Sequence, residues 1–177
     1  MKLRTIVSQE EWQQIKKLYK TAFPKYERKP LWIVKKKNRK GEADIWIIEE
    51  DGAFAGFAIM MNQVDLVLLD YFAVADEMRG KGFGKAALRA LQEHYRGKKF
   101  FLEIESVSVP CDNLAERQRR KDFYLNNGME EMHIMVDLFG TQMEVLGYEC
   151  SLDFAEYQSI YRLSYGKWAT KNVKSKN

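Results

Sequence analysis

The sequence has little cysteine and no long apolar run. Two cysteines occur among its 177 residues, without CxxC spacing, which excludes a disulfide framework and favours a reducing compartment. The longest apolar runs, at 45–48, 57–61 and 66–69, are far shorter than the roughly 20 residues that cross a bilayer. Met1 to Ser8 also lacks the apolar core of a signal peptide. We therefore expect a cytoplasmic protein with no membrane contact.

Neither sign of charge dominates the sequence. Lys and Arg total 29 and Asp and Glu total 25, a formal net charge of +4. Much of this excess lies in two basic runs, 35–40 and 117–121, and in the C-terminal residues. A solvated loop and a solvated helix face account for the two runs, so the sequence argues against a nucleic-acid partner. No metal site is expected, because His94, His133 and the cysteines are scattered, and His133 is interpreted as a packed or edge residue of a strand.

Hydrophobic residues make up 46% of the sequence, and their spacing predicts elements in the order β-α-α-β-β-β-α-β-α-β-β-α. The predicted strands span residues 3–7, 43–50, 53–61, 64–74, 100–105, 129–139 and 142–146. The predicted helices span about 8–22, 27–36, 82–96, 113–127 and 151–165. This order predicts an α/β (α+β) fold, with a mixed, mostly antiparallel central sheet of about seven strands and helices on both faces. We expect one domain over 1–166 and a basic, frayed tail over 167–177.

The most informative segment is the glycine-rich turn between the apolar strand 64–74 and the next helix. Gly80, Gly82 and Gly84 stand at alternate positions, so successive backbone amides can converge on one point at a helix N-terminus. Three basic residues add positive charge around the turn: Arg79, Lys81 and Lys85. A phosphate group is the ligand that this arrangement favours.

The turn does not match two common phosphate-binding motifs. The nucleoside-triphosphate motif fails because three residues separate Gly80 and Gly84 and no Ser or Thr follows Lys85. The dinucleotide motif GxGxxG fails because Lys85 stands where its third glycine belongs. The pattern Arg79-x-x-Gly82-x-Gly84 instead resembles the pyrophosphate-binding loop of the GNAT N-acetyltransferases, which use acetyl-CoA.

A second segment, Phe123-Tyr124-x-x-x-Gly128, resembles the other signature of that family, Phe-Tyr-x-x-x-Gly-Phe. The predicted order of elements also matches the family from Leu3 to about Leu146. Two features differ from the family pattern. Met129 replaces the usual aromatic residue, and the usual Asn-x-x-Ala-x-x-x-Tyr spacing is absent.

The resemblance implies a GNAT-like acetyltransferase domain with acetyl-CoA as co-substrate. The amine of a small molecule or peptide would attack the thioester directly in a ternary complex. The sequence does not identify that amine, because a fold does not specify a substrate. A function of another class stays open, namely a non-catalytic GNAT-fold module that senses CoA or binds nucleic acid. A homodimer is compatible with the sequence.

The resemblance also implies which residues bind the coenzyme. The backbone of Phe72–Val74 would pair with the pantetheine arm, and an amide near Val74 would polarise the acetyl carbonyl. The glycine-rich turn would hold the pyrophosphate, and the basic run 117–121 could help to hold the 3′-phosphate. The coenzyme-binding residues so implied are Phe72, Ala73, Val74, Arg79, Gly80, Lys81, Gly82, Phe83, Gly84 and Lys85.

Tyr124 is the candidate general acid, because a phenol of unperturbed pKa about 10 is protonated at neutral pH and can protonate a thiolate. The candidate bases are Asp70, a carboxylate within an apolar strand, and Glu27, in the segment that lines the acceptor cleft in the family. Glu103 and Glu105 on the neighbouring strand are alternatives. A chain of water molecules could also take the proton.

Overall fold

The computed structural model describes residues 1–176. The strands are β1 (Lys2–Thr5), β2 (Ala43–Glu50), β3 (Ala53–Asn62), β4 (Leu66–Val74), β5 (Lys99–Glu105), β6 (Glu130–Leu138), β7 (Thr141–Tyr148) and β8 (Val173–Ser175). The helices are α1 (Gln9–Ala22), α2 (Leu31–Arg39), α3 (Phe83–His94), α4 (Leu114–Leu125) and α5 (Phe154–Lys171). Within the described residues the eight strands form one sheet in the order β1-β2-β3-β4-β5-β7-β6-β8, and most of its pairings are antiparallel. The predicted mixed, mostly antiparallel fold is confirmed.

The chain divides into two compact units. Unit 1 contains Met1–Asn62 and Leu69–His94, and unit 2 contains Gln63–Leu68 and the chain from Tyr95 onward. Among the residues that the structure describes, no helix combines the length and the apolar character that crossing a membrane requires. The assignment of residues 1–166 to a single domain stays a prediction.

Two local features of unit 1, the start of α1 and the turn between β2 and β3, follow from short sequence patterns. The Ser8 hydroxyl accepts the amide of Glu11 at 3.2 Å, and the Glu11 carboxylate accepts the amide of Ser8 at 3.0 Å. This capping box satisfies two amides that the first turn of α1 would otherwise leave unpaired. Asp51 and Gly52, at φ of 49° and 79°, form the tight turn between β2 and β3.

Gly56 allows β3 to lie unusually close to the end of β4 in unit 1. A Cβ built on Gly56 would lie 2.3 Å from the carbonyl oxygen of Ala73 and 3.0 Å from the Cα of Val74. The neighbouring amide of Ala75 donates to the carbonyl of Ala55 at 2.8 Å, which holds the two segments together. Glycine is therefore required here for close backbone approach, as an isolated glycine in a strand often is.

Unit 2 contains an irregular pair of strands. β6 and β7 are in register at Glu131↔Leu146 and again at Met135↔Glu144, so three residues of β6 lie opposite one residue of β7. Within this bulge His133 adopts φ of 54°, a left-handed conformation that non-glycine residues rarely adopt. The bulge therefore redirects the side chains of β6 at this point.

The C-terminal residues differ from the frayed tail that the sequence predicted. The helix bends at Gly166, where φ is 80° and ψ is 179°, but α5 resumes and continues to Lys171. β8 then pairs antiparallel with β6. Ala169 and Val173 are each 1% exposed, so two small apolar residues hold a segment whose composition is otherwise polar. Asn177 lies outside the described residues.

Gly56→Ala should lower the free energy of unfolding by about 1–3 kcal/mol, because the added methyl group meets backbone atoms that cannot rotate away. Urea unfolding of the variant and the wild type measures this difference. An unchanged midpoint and slope would show that β3 and β4 can move apart without a loss of free energy of unfolding, and that close approach is not required at Gly56.

Candidate functional site

The glycine-rich turn joins the end of β4 to the start of α3 within unit 1. A 3₁₀ turn over Asp76–Met78 follows β4, and the chain then passes through Gly80 and Gly82 at φ of 73° and 84°. Glycine adopts these left-handed angles without the steric cost of a side chain. No atom lies within 4 Å of a Cβ built at either position. The backbone conformation, and not a lack of space, is therefore what requires glycine here.

The N-terminus of α3 lies at this turn. The carbonyl of Gly82 accepts the amide of Ala86 at 3.0 Å, so Gly82 stands at the entry of the helix. The first amides of an α-helix have no intrahelical acceptor, and together with the helix dipole they favour an anion. Lys81 and Lys85 are exposed beside them. Gly84 lies within α3 itself, so it contributes a small helical residue rather than a left-handed one.

Arg79 is turned back onto the protein. Its Nε donates to the carbonyl of Val74 at 3.2 Å, and its guanidinium pairs with Asp76 at 2.8 Å. The side chains of Arg79 and Asp76 are 57% and 75% exposed, so this ion pair is weak. The role of Arg79 in binding the coenzyme stays a prediction, and it requires the guanidinium to exchange these partners for the ligand.

The strand end predicted to bind pantetheine is fixed by the packing of its own side chains. Ala73 is buried, and Phe72 and Val74 are half-buried. Phe72 and Val74 pack against a small hydrophobic cluster of unit 1: Ile48, Ala55 and Ala87. The backbone of this segment is therefore held in place from within unit 1.

Asp70 has a cation as its partner. Its side chain is 3% exposed, and Oδ1 lies 2.5 Å from the Nζ of Lys29, whose side chain is 22% exposed. A buried carboxylate is tolerated in an apolar strand only when a partner offsets its desolvation. Sequence reasoning selected Asp70 but missed Lys29, because 41 residues separate them and no local pattern connects them.

Two tyrosine hydroxyls hold the main chain around Lys29. The Tyr71 hydroxyl donates to the carbonyl of Glu27 at 2.7 Å and accepts the amide of Lys29 at 3.0 Å. The Tyr19 hydroxyl donates to the carbonyl of Lys29 at 3.0 Å. Burial raises the pKa of both phenols, that of Tyr19 to about 12, so both keep their protons at neutral pH. α2 begins at Leu31 and not at Glu27 as predicted, because Pro30 is extended and disfavours helix at the residue before it.

Tyr124 is the one buried residue of α4, in unit 2. Its side chain packs beside Phe123, with the ring centroids 5.2 Å apart. Burial raises the pKa of Tyr124 to about 12, and Arg120 opposes this increase only in part. The phenol therefore keeps its proton at neutral pH, as a general acid must, although it is a weaker acid than a phenol in water.

The basic run 117–121 is not the solvated helix face that the sequence predicted. Three of its cations pair with carboxylates of unit 2: Arg117 with Glu105 at 2.7 Å, Arg120 with Glu116 at 3.2 Å, and Lys121 with Glu131 and Glu144 at 2.7 Å each. The side chain of Glu105 is 4% exposed, so one alternative base is an ion-pair partner of α4. Contact of these cations with a 3′-phosphate would require breaking the pairs.

Glu103, the other alternative base, is held by α5. The hydroxyls of Tyr157 and Tyr161 donate to its carboxylate at 2.6 Å and 2.7 Å. Both rings are fully buried in unit 2. Sequence reasoning missed these tyrosines, because nothing near Glu103 in the chain indicates them. Two buried donors favour a structural role for this carboxylate.

A cavity of about 230 Å³ lies in unit 2 beside the bulge of β6. Its polar walls come from side chains of both charge signs, among them Lys121, Glu131 and Glu144. His133 also lines it and is exposed, so this histidine is not packed as one interpretation of the sequence had it. β8 pairs with β6 at Val136–Leu138, beyond His133, so the interpretation of His133 as an edge residue stays a prediction.

Comparisons with known proteins agree with this geometry. The sequence matches the model of the acetyltransferase (GNAT) family over residues 12–119. No curated protein sequence matches the chain.

Several solved structures share the fold. A protein from Bacteroides thetaiotaomicron assigned to the GNAT acetyltransferases has a TM-score of 0.77 at 21% identity, over 94% of this chain and 99% of that chain. An acetyltransferase from Bacillus subtilis in complex with CoA has a TM-score of 0.61 at 17% identity, over 84% and 99%. The ribosomal-protein-S18-alanine N-acetyltransferase of Escherichia coli has 0.59 at 17%, over 86% and 95%. At such identities the likeness shows the fold alone.

Lys29→Met should lower the free energy of unfolding by about 3–5 kcal/mol, because it removes the ion-pair partner of a buried carboxylate. Asp70→Asn should cost less, about 1–3 kcal/mol, because the amide is neutral and still forms hydrogen bonds. The double variant should be more stable than Lys29→Met alone, since the side chain at position 70 is then neutral and does not need a cation. Urea unfolding of the three variants checks this order, and wild-type stability in Lys29→Met would contradict it.

Proposed function

The chain belongs to the acetyltransferase (GNAT) family, and on that basis we propose that it moves the acetyl group of acetyl-CoA to an amine by direct attack in a ternary complex. The observation that carries this proposal is the turn in which Gly80 and Gly82 adopt left-handed φ at the N-terminus of α3. That geometry suits a pyrophosphate. The likeness to a Bacillus subtilis acetyltransferase in complex with CoA supports the same ligand.

In this proposal the turn holds the pyrophosphate and Phe72–Val74 offers backbone groups to the pantetheine arm. Lys81 and Lys85 add charge at the turn, and Arg79 joins them by releasing Asp76. The coenzyme supplies an activated acetyl thioester. The chain contributes binding and orientation, which can account for most of the acceleration in a reaction between two bound substrates.

The proposed general acid is Tyr124, which would give its proton to the departing thiolate of the coenzyme. The proposed bases are Asp70 and Glu27. The ion pair of Asp70 with Lys29 supports a positioning role for Asp70 at least as well as proton transfer. Turnover of Asp70→Asn per folded molecule separates the two roles, because full turnover would exclude Asp70 as the base.

The proposed acceptor is an amine on a small molecule or a peptide, in the cytoplasm, with no metal and no nucleic acid taking part. No specific observation favours the non-catalytic alternative. The pairing of Arg117, Arg120 and Lys121 with carboxylates leaves fewer cations of that run to meet a polyanion. A homodimer is retained as a proposal.

The function is tested by following free thiol release from acetyl-CoA over a panel of amines, together with calorimetric binding of acetyl-CoA. Gly82→Val should abolish coenzyme binding, because a β-branched residue is strained at φ of 84° and distorts the turn. Gly41→Val is the matched control in unit 1, with φ of 72° and equally open space but at the turn before β2. Undiminished affinity in Gly82→Val, or equal loss in Gly41→Val, would remove the glycine-rich turn from the site.

Tyr124→Phe should lower kcat by about 10²-fold with little change in either KM, because a general acid acts only as the carbon–sulfur bond breaks. The loss should shrink with an acyl donor whose thiol is more acidic, since that thiolate leaves without help. Tyr165→Phe removes a phenol from α5 and is the control. Wild-type turnover in Tyr124→Phe, or a loss that ignores the acidity of the thiol, would contradict the assignment.

A further inference from the structure

Ion pairs join α4 to the strands of unit 2. Its one buried residue is Tyr124, whereas Arg117 and Lys121 are each 12% exposed and point at buried carboxylates. Arg117, Lys121 and Tyr124 are spaced i, i+4 and i+7, so they share one face of the helix. The same face therefore carries the proposed general acid and the two cations that attach α4 to the sheet.

Glu144 on β7 is the carboxylate that holds the end of this face. Its Oε2 lies 2.7 Å from the Nζ of Lys121, and its side chain is 9% exposed. Its Oε1 accepts the hydroxyl of Ser106 and the amide of Val107, both at 2.9 Å. Burial alone would raise the pKa of Glu144, but its hydrogen-bond donors and Lys121 together lower the pKa by more than burial raises it. The carboxylate is therefore charged at neutral pH. Oε1 is thus held independently of Lys121, and Oε2 is the oxygen that meets Lys121.

Lys121 lies one helical turn before Tyr124. Burial lowers the pKa of Lys121, but Glu131 and Glu144 raise it by more, so the ammonium keeps its charge. The two carboxylates differ in their surroundings, because the side chain of Glu131 is 43% exposed and that of Glu144 is 9% exposed. A pair screened by water restrains a helix weakly, and a buried pair with fixed geometry restrains it strongly.

We propose that Glu144 is a positioning residue for Tyr124. Through Lys121 it fixes the last turn of α4 on β7, and so it sets the direction of the Tyr124 hydroxyl. Glu131 also pairs with Lys121 but does not set that direction. This inference rests on the proposed function, because it assumes that Tyr124 acts in catalysis.

The experiment is a double-variant cycle on the full-length protein, with thiol release as the assay. Glu144→Gln keeps an oxygen for Ser106 and Val107 but removes the charge that holds Lys121. It should lower kcat by about 10-fold or more, since small displacements of catalytic groups are costly, and leave the KM for acetyl-CoA within about 2-fold. The control is Glu131→Gln, which should change kcat by less than about 2-fold. Unfolding curves give the folded fraction of each variant.

The decisive measurement is Glu144→Gln in the Tyr124→Phe background. If Glu144 acts through Tyr124, the double variant should turn over within about 2-fold of Tyr124→Phe alone. If Glu144 has only a general structural role, the losses of kcat from Glu144→Gln and Tyr124→Phe should multiply, and this would overturn the inference. Wild-type kcat in Glu144→Gln would also overturn it, and so would an equal loss of kcat in Glu131→Gln.

The outcome also separates this inference from the proposed function. Full turnover in Tyr124→Phe overturns the general-acid assignment and the positioning role with it. An impaired Tyr124→Phe with multiplying losses overturns the positioning role alone. If Glu144→Gln does not fold, Lys121→Met removes the cation of this pair together with its contact to Glu131. Glu131→Gln then measures the effect of the second contact, and the double-variant outcomes apply to Lys121→Met in the same way.

Discussion

Three carboxylates on the strands of this protein are held by donors from segments outside the sheet. Asp70 on β4 is matched by Lys29, and Glu105 on β5 by Arg117 of α4. Glu103 on β5 accepts from two tyrosines of α5. Since an unmatched buried charge costs several kcal/mol, the segments that supply these donors have few alternative positions.

The need for a partner at each carboxylate restricts where these segments lie more than it adds to the free energy of unfolding. A buried ion pair is often no more stabilising than apolar residues of similar size, because desolvation offsets the attraction between the charges. Its geometry is stricter, because a cation has to meet a fixed oxygen. The segment before α2 and the helix α4 are the parts that carry Glu27 and Tyr124, and both are attached in this way. The ion pairs therefore restrict where Glu27 and Tyr124, the proposed base and the proposed general acid, can lie.

Much of the fold could be predicted from the sequence, because the strands follow local apolar patterning. β2 was predicted at its observed bounds, 43–50, and the glycine-rich turn was predicted at its observed place between a strand and a helix. The start of α2 was predicted four residues early, because the prediction did not allow for Pro30, which disfavours helix at the residue before it. β8 was missed because a single valine, Val173, supplies its burial. The partners of the buried carboxylates were missed because they lie far away in the sequence, and such long-range pairing leaves no local pattern.

The short strand β8 has a consequence for how the protein behaves with other chains. It lies at one end of the sheet and covers the last part of β6, Val136–Leu138, whose backbone groups would otherwise be open to strand addition. Its outer face carries Lys174, and a lysine on an edge strand opposes the docking of another strand. Proteolytic removal of the chain from Val173 onward would expose the backbone of β6 at this point, and a strand of another copy could then pair with it. The short strand β8 therefore leaves less of the β6 backbone open to pairing with another chain.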